Sequence, residues 1–551
     1  MNRLQILACD QRICSYRYVQ RLGLILSVGC LISINAPSVA DVVSDKASGA
    51  GPDISRTENQ STRIDIQAPN EQGVSHNVYQ RFDVEREGAV LNNSRDGADT
   101  ELAGHIAGNP NLSQQEARTI INEINSRDPS RLNGMLEVAG QRADVIVANP
   151  SGITCSGCGF INSDRGVLTT GSPVMEDGRL NGFDVNRGQV NIAGAGLNGH
   201  NQKYTDIIAR SVRINGKVQA DNLRLVTGRN VVSAEHPDTN ILTKAGKVKP
   251  AKLALDVRNL GGMYANRIYM VGTEQGVGVH NGGKIGQGRE QITISNNGYI
   301  ENEGHINGSD VVNIDTHGHE FDNGYGEIDM SSLVLNTQGG AFNNYQGRVE
   351  AGENLTFDIG DLDNTEGKLS GPLSMTLATH QIDNQSGLIS GGKINIDTHG
   401  YALLNTGGDL EQENPLYARR GISGGNVKIK AGNIDNTYGR IGGRWLTLDT
   451  TAYANGLEDG DNDLLNEGGR IDAERSLSID GRNDMLYNDN GVIQSSGSMT
   501  IHLNGLINGN GHILANREMK LAIDDEMDNE DGTIQGNIDP SKERPIPISQ
   551  Q

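Results

Sequence analysis

The stretch Leu362–Gly367 (LDNTEG) decides the fold, because it returns twenty residues later as Ile382–Gly387 (IDNQSG). Both copies begin with an apolar residue, followed by any residue and then Asn, and a Gly comes shortly after. The unit recurs through the second half of the chain in steps of 20 to 22 residues, apart from two steps of 31 and 30. Its asparagines are Asn281, Asn302, Asn323, Asn344, Asn364, Asn384, Asn405, Asn436, Asn466, Asn488, Asn508 and Asn529.

A second apolar marker keeps phase with the first, nine residues before the Asn. Its members are Ile314, Leu335, Leu355, Met375, Ile396, Val427, Ile479 and Met499. Apolar and polar residues alternate around several of them, which indicates short strands with one buried face. A unit of this length has room for about three short strands and turns but not for a helix pair. Each unit buries its apolar face only by stacking on its neighbours.

The repeat therefore predicts an all-β fold, a right-handed parallel β-helix with coils of about 20 residues. Asn at a fixed place in each coil is expected to form a hydrogen-bonded ladder at an inward turn. The neighbouring Gly is expected to supply the positive φ of that turn. The two long steps predict polar loops, between Gly407 and Gly421 and between Ala452 and Asp463.

The domain boundaries follow from the same pattern. Residues 1–40 are predicted to be a signal peptide, 41–290 a first β-helical domain, 291–538 the repeat shaft, and 539–551 a Pro-containing tail. The signal combines four arginines with the 13-residue apolar run Leu22–Ile34, too short for a membrane span. Cleavage is expected after Ala40; a lipoprotein signal ending at Cys30 is the alternative.

The charge of the chain limits its partners. The formal net charge is −22, from 47 basic and 69 acidic residues. Removing residues 1–40 takes away four Arg and one Asp, which leaves 43 − 68 = −25. Such a chain repels nucleic acid and acidic lipid surfaces, so neither is an expected partner.

The cysteines predict one local disulfide. Three of the five cysteines lie in the signal, which leaves Cys155 and Cys158 in an exported chain that meets oxidising conditions. A zinc half-site and a redox pair are the alternatives, but there is no second Cys pair and no surrounding βαβ pattern.

Three motifs in the first half carry a family resemblance. The first reads NPNL, at Asn109, Pro110, Asn111 and Leu112; the second reads NPSGI, at Asn149, Pro150, Ser151, Gly152 and Ile153; the third is the CSGC of the cysteine pair. In this order behind a long signal, they resemble the secretion domain of two-partner-secretion exoproteins. That family includes filamentous haemagglutinins, related cytolysins and contact-dependent inhibition proteins. The resemblance covers roughly Ser61 to Val232, and Ser151 departs from the usual Asn of the second motif.

The resemblance implies a secretion route. The family's partner is an outer-membrane β-barrel transporter with periplasmic docking domains, through which the chain passes unfolded before coiling outside. The two Asn-Pro motifs are then candidates for partner recognition or for the start of folding. Both asparagines precede a proline, so an interpretation as tight turns alone is equally open.

One segment shows conflicting local signals. Ser113–Glu116 reads as a helical capping box, and Ala117, Ile120, Ile121 and Ile124 follow at helical spacing. The family resemblance instead implies a strand near Thr119–Ile124. We expect the strand, because tertiary context can override local propensity.

No residue pattern predicts a cofactor or metal. Asp459, Asp461 and Asp463 imitate the start of a calcium loop, but Leu464 and Arg470 stand where Gly and Glu are needed. His317 lies in a DTHG stretch that recurs at Asp397–Gly400, which favours a coil corner over a metal clamp at His317 and His319. A β-helical polysaccharide lyase is the enzymatic alternative, and fold by itself does not carry it.

The sequence thus predicts a secreted or cell-surface, adhesin- or haemagglutinin-like exoprotein rather than an enzyme. A pore-forming cytolysin and a toxin-delivery stalk of the same family are the alternatives. The last repeat is soon followed by Pro540, Pro545 and Pro547, from which a short or truncated form is expected.

Overall fold

The computed structural model describes residues 41–235, 240–244, 249–286, 288–407, 420–451 and 463–538. Over these residues the chain is built from β-strands, most of which pair in parallel within one continuous sheet. A 3-10 turn at Lys46–Ser48 is the one helical element of this part of the chain. The predicted fold class, a parallel β-helix, is confirmed. The signal, most of both insertions and the tail 539–551 lie outside the described residues.

Eighteen strands of the main sheet precede the repeats. They are Val42–Ser44, Asp53–Arg56, Thr62–Asp65, Val74–Phe82, Ala89–Asn93, Thr119–Ile124, Ser130–Leu132, Met135–Gly140, Asp144–Ala148, Ile153–Cys155, Cys158–Ile161, Arg165–Thr169, Gln189–Ile192, Leu197–Ala209, Ser211–Ile214, Lys217–Thr227, Leu253–Val257 and Gly262–Gly272.

In the repeats, one line of short strands ends at or next to the repeated Asn. Its separate strands are Gly278–Asn281, Ile300–Asn302, Phe321–Asp322, Phe342–Asn343, Leu362–Asp363, Ile382–Asp383, Ala402–Leu404, Asn433–Asp435, Leu464–Leu465 and Met527–Asp528. The remaining strands form the other faces of the coils, and they run together in later coils. They are Lys284–Gly286, Ile292–Asn296, His305–Asn307, Val311–Asp315, Glu327–Asn336, Arg348–Asp358, Lys368–Ala378, Leu388–Asp397, Gly421–Lys430, Arg440–Asp449, Arg470–Tyr487, Val492–Ser495, Ser498–Ile507, His512–Ile523 and Thr533–Ile538.

Two small antiparallel sheets lie outside the main sheet. One has four strands, Gly171–Glu176, Arg179–Val185, Asn230–Ser233 and Ile241–Thr243; the other pairs Ala98–Thr100 with Gly104–Ile106. At the start of the described chain, antiparallel pairs join Val42–Ser44 to Val74–Phe82 and Asp53–Arg56 to Thr62–Asp65. Among the described residues there is no helix long and apolar enough to cross a bilayer.

The core is one narrow column of stacked side chains. Leu369, for example, pairs in register with Val349 in the preceding coil and Ile389 in the next, and all three are fully buried. The cluster formed in this way continues from Val42 to Met519. Burying one such side chain contributes roughly 1.5–3 kcal/mol, and each coil obtains this only through its neighbours.

The segment with conflicting signals is a strand, as expected. Thr119–Ile124 pairs in parallel with Val74–Phe82 and with Asp144–Ala148. Ile120 and Ile124 point into the main core, whereas Ile121 joins a second buried cluster beneath the four-stranded sheet. A strand places alternate side chains on opposite faces, and here both faces are covered. The tertiary structure therefore overrides the helical spacing of these apolar residues.

Candidate functional site

The side chain of Asn109 connects three segments of the first coils. It is almost fully buried, and its amide nitrogen donates to the carbonyl oxygens of Ile66 at 3.0 Å and Asn92 at 2.8 Å. Its side-chain oxygen accepts from the backbone N–H of Asn111 at 2.9 Å, and its own carbonyl accepts from Leu112. The motif is thus a tight turn whose Asn is fastened to two upstream strand ends.

Asn149 repeats this arrangement. Its amide nitrogen donates to the carbonyl of Asp128 at 2.9 Å and to the hydroxyl of Ser130 at 3.0 Å. Its side-chain oxygen accepts from the N–H of Ser151 at 2.9 Å, and its carbonyl accepts from Gly152. The residue is fully buried. Both Asn-Pro motifs therefore use the same chemistry, an Asn that closes its own turn and ties it to the chain upstream.

The other motif residues anchor or shape these turns. Leu112 and Ile153 are buried in the main core. Gly152 has a φ of 117°, a conformation that L side chains rarely adopt. Pro110 is exposed, and Pro150 and Ser151 are half-buried. In the folded coils the prolines are accessible, whereas the two asparagine side chains are not.

The cysteine pair occupies a corner of the coil. Cys155 and Cys158 are joined by a disulfide three residues apart. Cys155 pairs in register with Leu132 in the preceding coil and with Ile192 in the next. The same register position continues through Ile214 and Val257 to Asn281, where the asparagines begin. The disulfide therefore lies in the corner that the asparagines occupy further along.

Replacing both cysteines by serine is expected to lower the free energy of unfolding only modestly, by about 2 kcal/mol or less, because the closed loop is so short. The measurement is urea denaturation of the secreted protein, together with its intact mass. Two free thiols in material collected outside the cell would contradict the disulfide.

The twelve repeat asparagines form one line of hydrogen bonds. Each of the first eleven donates from its amide nitrogen to the side-chain oxygen of the next, over distances of 2.6 to 2.8 Å. The eleven repeat asparagines from Asn281 to Asn508 are buried, so each of these side chains must find its hydrogen-bond partners within the protein. The bonds to Asn436 and Asn466 cross the two insertions without a change of register.

The turn after each asparagine differs from the expectation in one respect. The prediction that the neighbouring Gly supplies the positive φ was wrong for most coils. The positive φ belongs to the second residue after the Asn, which is usually not glycine: Tyr325, Gln346, Glu366, Ser386, Tyr438, Asn490, Asn510 and Asp531. Gly407 and Gly468 hold this position in two coils.

In nine coils glycine is instead the third residue after the Asn, and the reason is close packing. At Gly387, whose φ lies outside the left-handed region, an added Cβ would overlap the carbonyl oxygen of Asn364 and the side-chain oxygen of Asn384. The same overlap with the preceding coil's Asn recurs at Gly326, Gly347, Gly367, Gly439, Gly469, Gly491, Gly511 and Gly532. Gly is present because the corners stack too tightly for any side chain.

The histidines considered as metal ligands lie at another coil corner. His317 has a positive φ and its backbone N–H donates to the carboxylate of Asp315, while the backbone N–H of His319 donates to the carbonyl of Thr316. His399, in the second DTHG stretch, repeats the arrangement of His317 with Asp397. In the part of the chain that the structure describes, there is no group of three or more His, Cys, Asp and Glu side chains arranged around a metal. Asp459 and Asp461 lie outside the described residues, and Asp463 accepts from the N–H of Met485.

Comparison with known proteins decides the family. Residues 40–302 match the family model of the TPS secretion domain. The chain belongs to the two-partner-secretion exoproteins. It is 46% identical over 294 residues to Toxin CdiA of Yersinia pestis, and 41% identical over 264 residues to tRNA nuclease CdiA-2 of Burkholderia pseudomallei. These matches cover 53% and 47% of this chain but only 9% and 8% of the two relatives, so the chain spans a small part of their length.

A filamentous hemagglutinin secretion domain of known crystal structure is also similar. It is 30% identical, with a TM-score of 0.44, over 55% of this chain and 98% of that domain. The resemblance predicted from the motifs is confirmed, and the matched part of this exoprotein is a secretion domain rather than a catalytic domain.

The exoprotein's secretion domain also contains a buried ion cluster that sequence analysis missed. Arg165 and Arg224 both donate to the carboxylate of Asp206, each at 2.8 Å. Asp206 and Arg224 are essentially inaccessible to water. Arg165 also donates to the carbonyl of Ala234, and Arg224 to that of Glu235. The cluster therefore attaches the end of the strand Asn230–Ser233, in the four-stranded sheet, to the β-helix.

Burial changes the pKa of Arg224 in this cluster and that of Asp144 beside it. It lowers the pKa of Arg224, an effect that the neighbouring Asp206 opposes. Burial also raises the pKa of the nearby Asp144 to about 6, against the attraction of Arg165. The available sequence signal was a single Arg inside the apolar run Leu223–Val226. If one face of this strand were open to solvent, Arg224 would be exposed. The four-stranded sheet covers that face and buries Arg224.

Asn93 is a further residue whose role the sequence did not reveal. Its amide nitrogen donates to the carbonyls of Ala117 and Gln141, each at 2.8 Å, and its oxygen accepts from the N–H of Ala117 at 2.7 Å. It is fully buried and joins three consecutive parts of the secretion domain. Its place among similar Asn-rich segments concealed this role.

Proposed function

We propose that this exoprotein is exported by a cognate outer-membrane β-barrel transporter with periplasmic docking domains and acts outside the cell as an adhesin. The family match at residues 40–302 supports the route. Residues 1–40 are proposed to be a signal removed before Asp41. The protein is then secreted or held at the cell surface.

The geometry of the Asn-Pro motifs supports recognition of an unfolded chain. In the folded coils, Asn109 and Asn149 are buried and each uses its amide nitrogen twice and its oxygen once in internal hydrogen bonds. A partner would have no access to these side chains. We therefore propose that the transporter contacts the motifs before their corners close, and that closure outside the cell prevents return.

Changing either motif Asn to Ala is expected to reduce the extracellular yield several-fold when the transporter is co-expressed. Each change removes the residue that closes the turn and leaves two upstream acceptors without their donor, at a cost of about 1–3 kcal/mol for each unsatisfied group. The measurement is the ratio of extracellular to cell-retained protein for Asn109→Ala and Asn149→Ala.

Asn364→Ala is the matched control. Asn364 is equally buried and also holds an inward corner, with bonds to Asn344 and Asn384, but it is one rung among twelve and lies outside the matched domain. Its export should remain near that of the unchanged chain. Equal losses for all three variants would show that the motifs act only through stability, and unimpaired export of the first two would remove the case for recognition.

The repeat shaft, residues 291–538, supports the proposal of an adhesin. Coils whose core is a single column leave most outward side chains free to vary, which suits a display surface. Purified secreted protein coated on beads should promote adherence to red or epithelial cells. Lysis of red cells without adherence would instead favour the cytolysin alternative.

A toxin-delivery stalk is the second candidate, favoured by the names of the relatives, which are a toxin and a tRNA nuclease. The matched segments are a small part of those proteins, so the likeness does not extend over most of their length. Growth inhibition of neighbouring cells by cells that display this chain would support the stalk. Adherence without growth inhibition would support the adhesin.

A further inference from the structure

Two exposed tyrosines form a pair on adjacent corners of the shaft. Tyr325 is 66% exposed, and its ring centre lies 5.6 Å from that of the half-buried Tyr345, with the rings nearly perpendicular. Their coils are held together below the surface, where Phe321 stacks on Phe342 at 5.1 Å. The pair is thus an aromatic surface on a stiff support, in a chain in which aromatic residues make up only 4%.

Folding does not require an aromatic residue at Tyr325. This residue has a φ of 61°, which disfavours bulky side chains. Equivalent positions in other coils vary in residue type. Gly407, Gly468, Asn490 and Asn510 adopt this conformation readily, and Gln346, Glu366, Ser386 and Tyr438 also hold it. A tyrosine there is a cost to the corner, and with most of its ring in solvent it contributes little to the core. The fold therefore does not depend on this side chain, and its exposed ring is free to contact a ligand.

Polar groups continue the row along the coil axis. The amide nitrogen of Gln346 lies 3.2 Å from the hydroxyl of Tyr345 and donates to the carboxylate of Glu366 at 2.7 Å. Gln346 and Glu366 hold the same corner position as Tyr325 in the next two coils. Since coils are about 4.8 Å apart, the row presents two rings, an amide and a carboxylate over roughly 10 Å.

We propose that this row, Tyr325, Tyr345, Gln346 and Glu366, binds a neutral oligosaccharide. The apolar faces of sugar rings pack on aromatic rings, while the amide and the carboxylate are suited to hydrogen bonds with sugar hydroxyls. The carboxylate and the net charge, −25 without residues 1–40, repel anionic polymers. The inference rests on the proposed adhesin function, to which it adds a ligand class.

The test measures binding of the secreted chain to immobilised maltohexaose, cellohexaose and N-acetylchitohexaose, with a heparin hexasaccharide as the anionic probe. At least one neutral probe should bind, and Tyr325→Asn or Tyr345→Ala should weaken that binding about tenfold, as for a single aromatic anchor. Asn tolerates a positive φ, so the first variant should keep the corner folded, which circular dichroism checks.

Tyr438→Asn is the matched control. Tyr438 holds the same corner position, with a φ of 53° and 62% exposure, but its neighbours in that position are Gly407 and Gly468. This variant should bind like the unchanged chain. The proposal is overturned if no neutral probe binds, if heparin binds more tightly, if the Tyr325 and Tyr345 variants bind normally, or if the Tyr438 variant loses as much.

The outcome is separable from that of the adhesin proposal. Adherence promoted by an unchanged chain that binds no neutral oligosaccharide would refute this site and leave the adhesin function standing. Failure of the unchanged chain to promote adherence, with neutral oligosaccharide binding intact, would refute the adhesin function alone.

Discussion

Replacing Gly387 by alanine is expected to lower the free energy of unfolding by more than about 3 kcal/mol, because the corner has no space for the added methyl group. The added Cβ would overlap the carbonyl oxygen of Asn364 and the side-chain oxygen of Asn384, so two coils must separate and the asparagine bond between them must stretch. By contrast, Ser386→Gly should raise the free energy of unfolding by up to about 1 kcal/mol, since Ser386 holds a φ of 54° that glycine adopts without strain.

The two substitutions are expected to change the free energy of unfolding in opposite directions. Close packing governs the change at Gly387, and backbone strain governs the change at Ser386. Urea denaturation of the two variants, with hydrogen exchange of the amides in neighbouring coils, measures both effects. If Gly387→Ala were neutral, the corners would be looser than the structure shows. If Ser386→Gly destabilised the protein as much as Gly387→Ala, the distinction between the two positions would fail.

Replacing Asp206 by alanine is expected to lower the free energy of unfolding by about 3–5 kcal/mol. The change leaves the buried guanidinium of Arg224 and the largely buried one of Arg165 without their shared carboxylate. Arg224 is only 1% exposed and cannot turn to solvent. The four-stranded sheet should loosen first, since both arginines hold its Ala234–Glu235 end.

Asp256→Ala is the matched control for this effect. Asp256 also pairs with two arginines, Arg213 and Arg258, but about half of each arginine side chain is exposed. Water can solvate these cations once the carboxylate is gone, so the loss should be about 1 kcal/mol or less. The comparison uses denaturation midpoints and limited proteolysis of the four-stranded sheet. Equal losses at the two sites would contradict the importance of burial at Asp206.

The sequence is most informative where one residue type recurs at a fixed interval. The Asn spacing predicted the coil length and the fold, because stacked coils require the same residue at the same corner. The hydrogen-bonded line from Asn281 to Asn529 follows that spacing even across the two insertions. The motifs around Asn109 and Asn149 predicted the family through their order and type, which need no knowledge of distant contacts.

The sequence by itself thus determined the solenoid, its period and the secretion family, since all three depend on local order along the chain. Only the tertiary structure decided that Gly387 is present for close packing, because the group it avoids belongs to a residue 23 positions earlier in the chain. Only the tertiary structure buries Arg224, because the four-stranded sheet that covers it is assembled from segments that are separate in the sequence. It also made Thr119–Ile124 a strand, because a helix cannot bury both faces between two flanking strands.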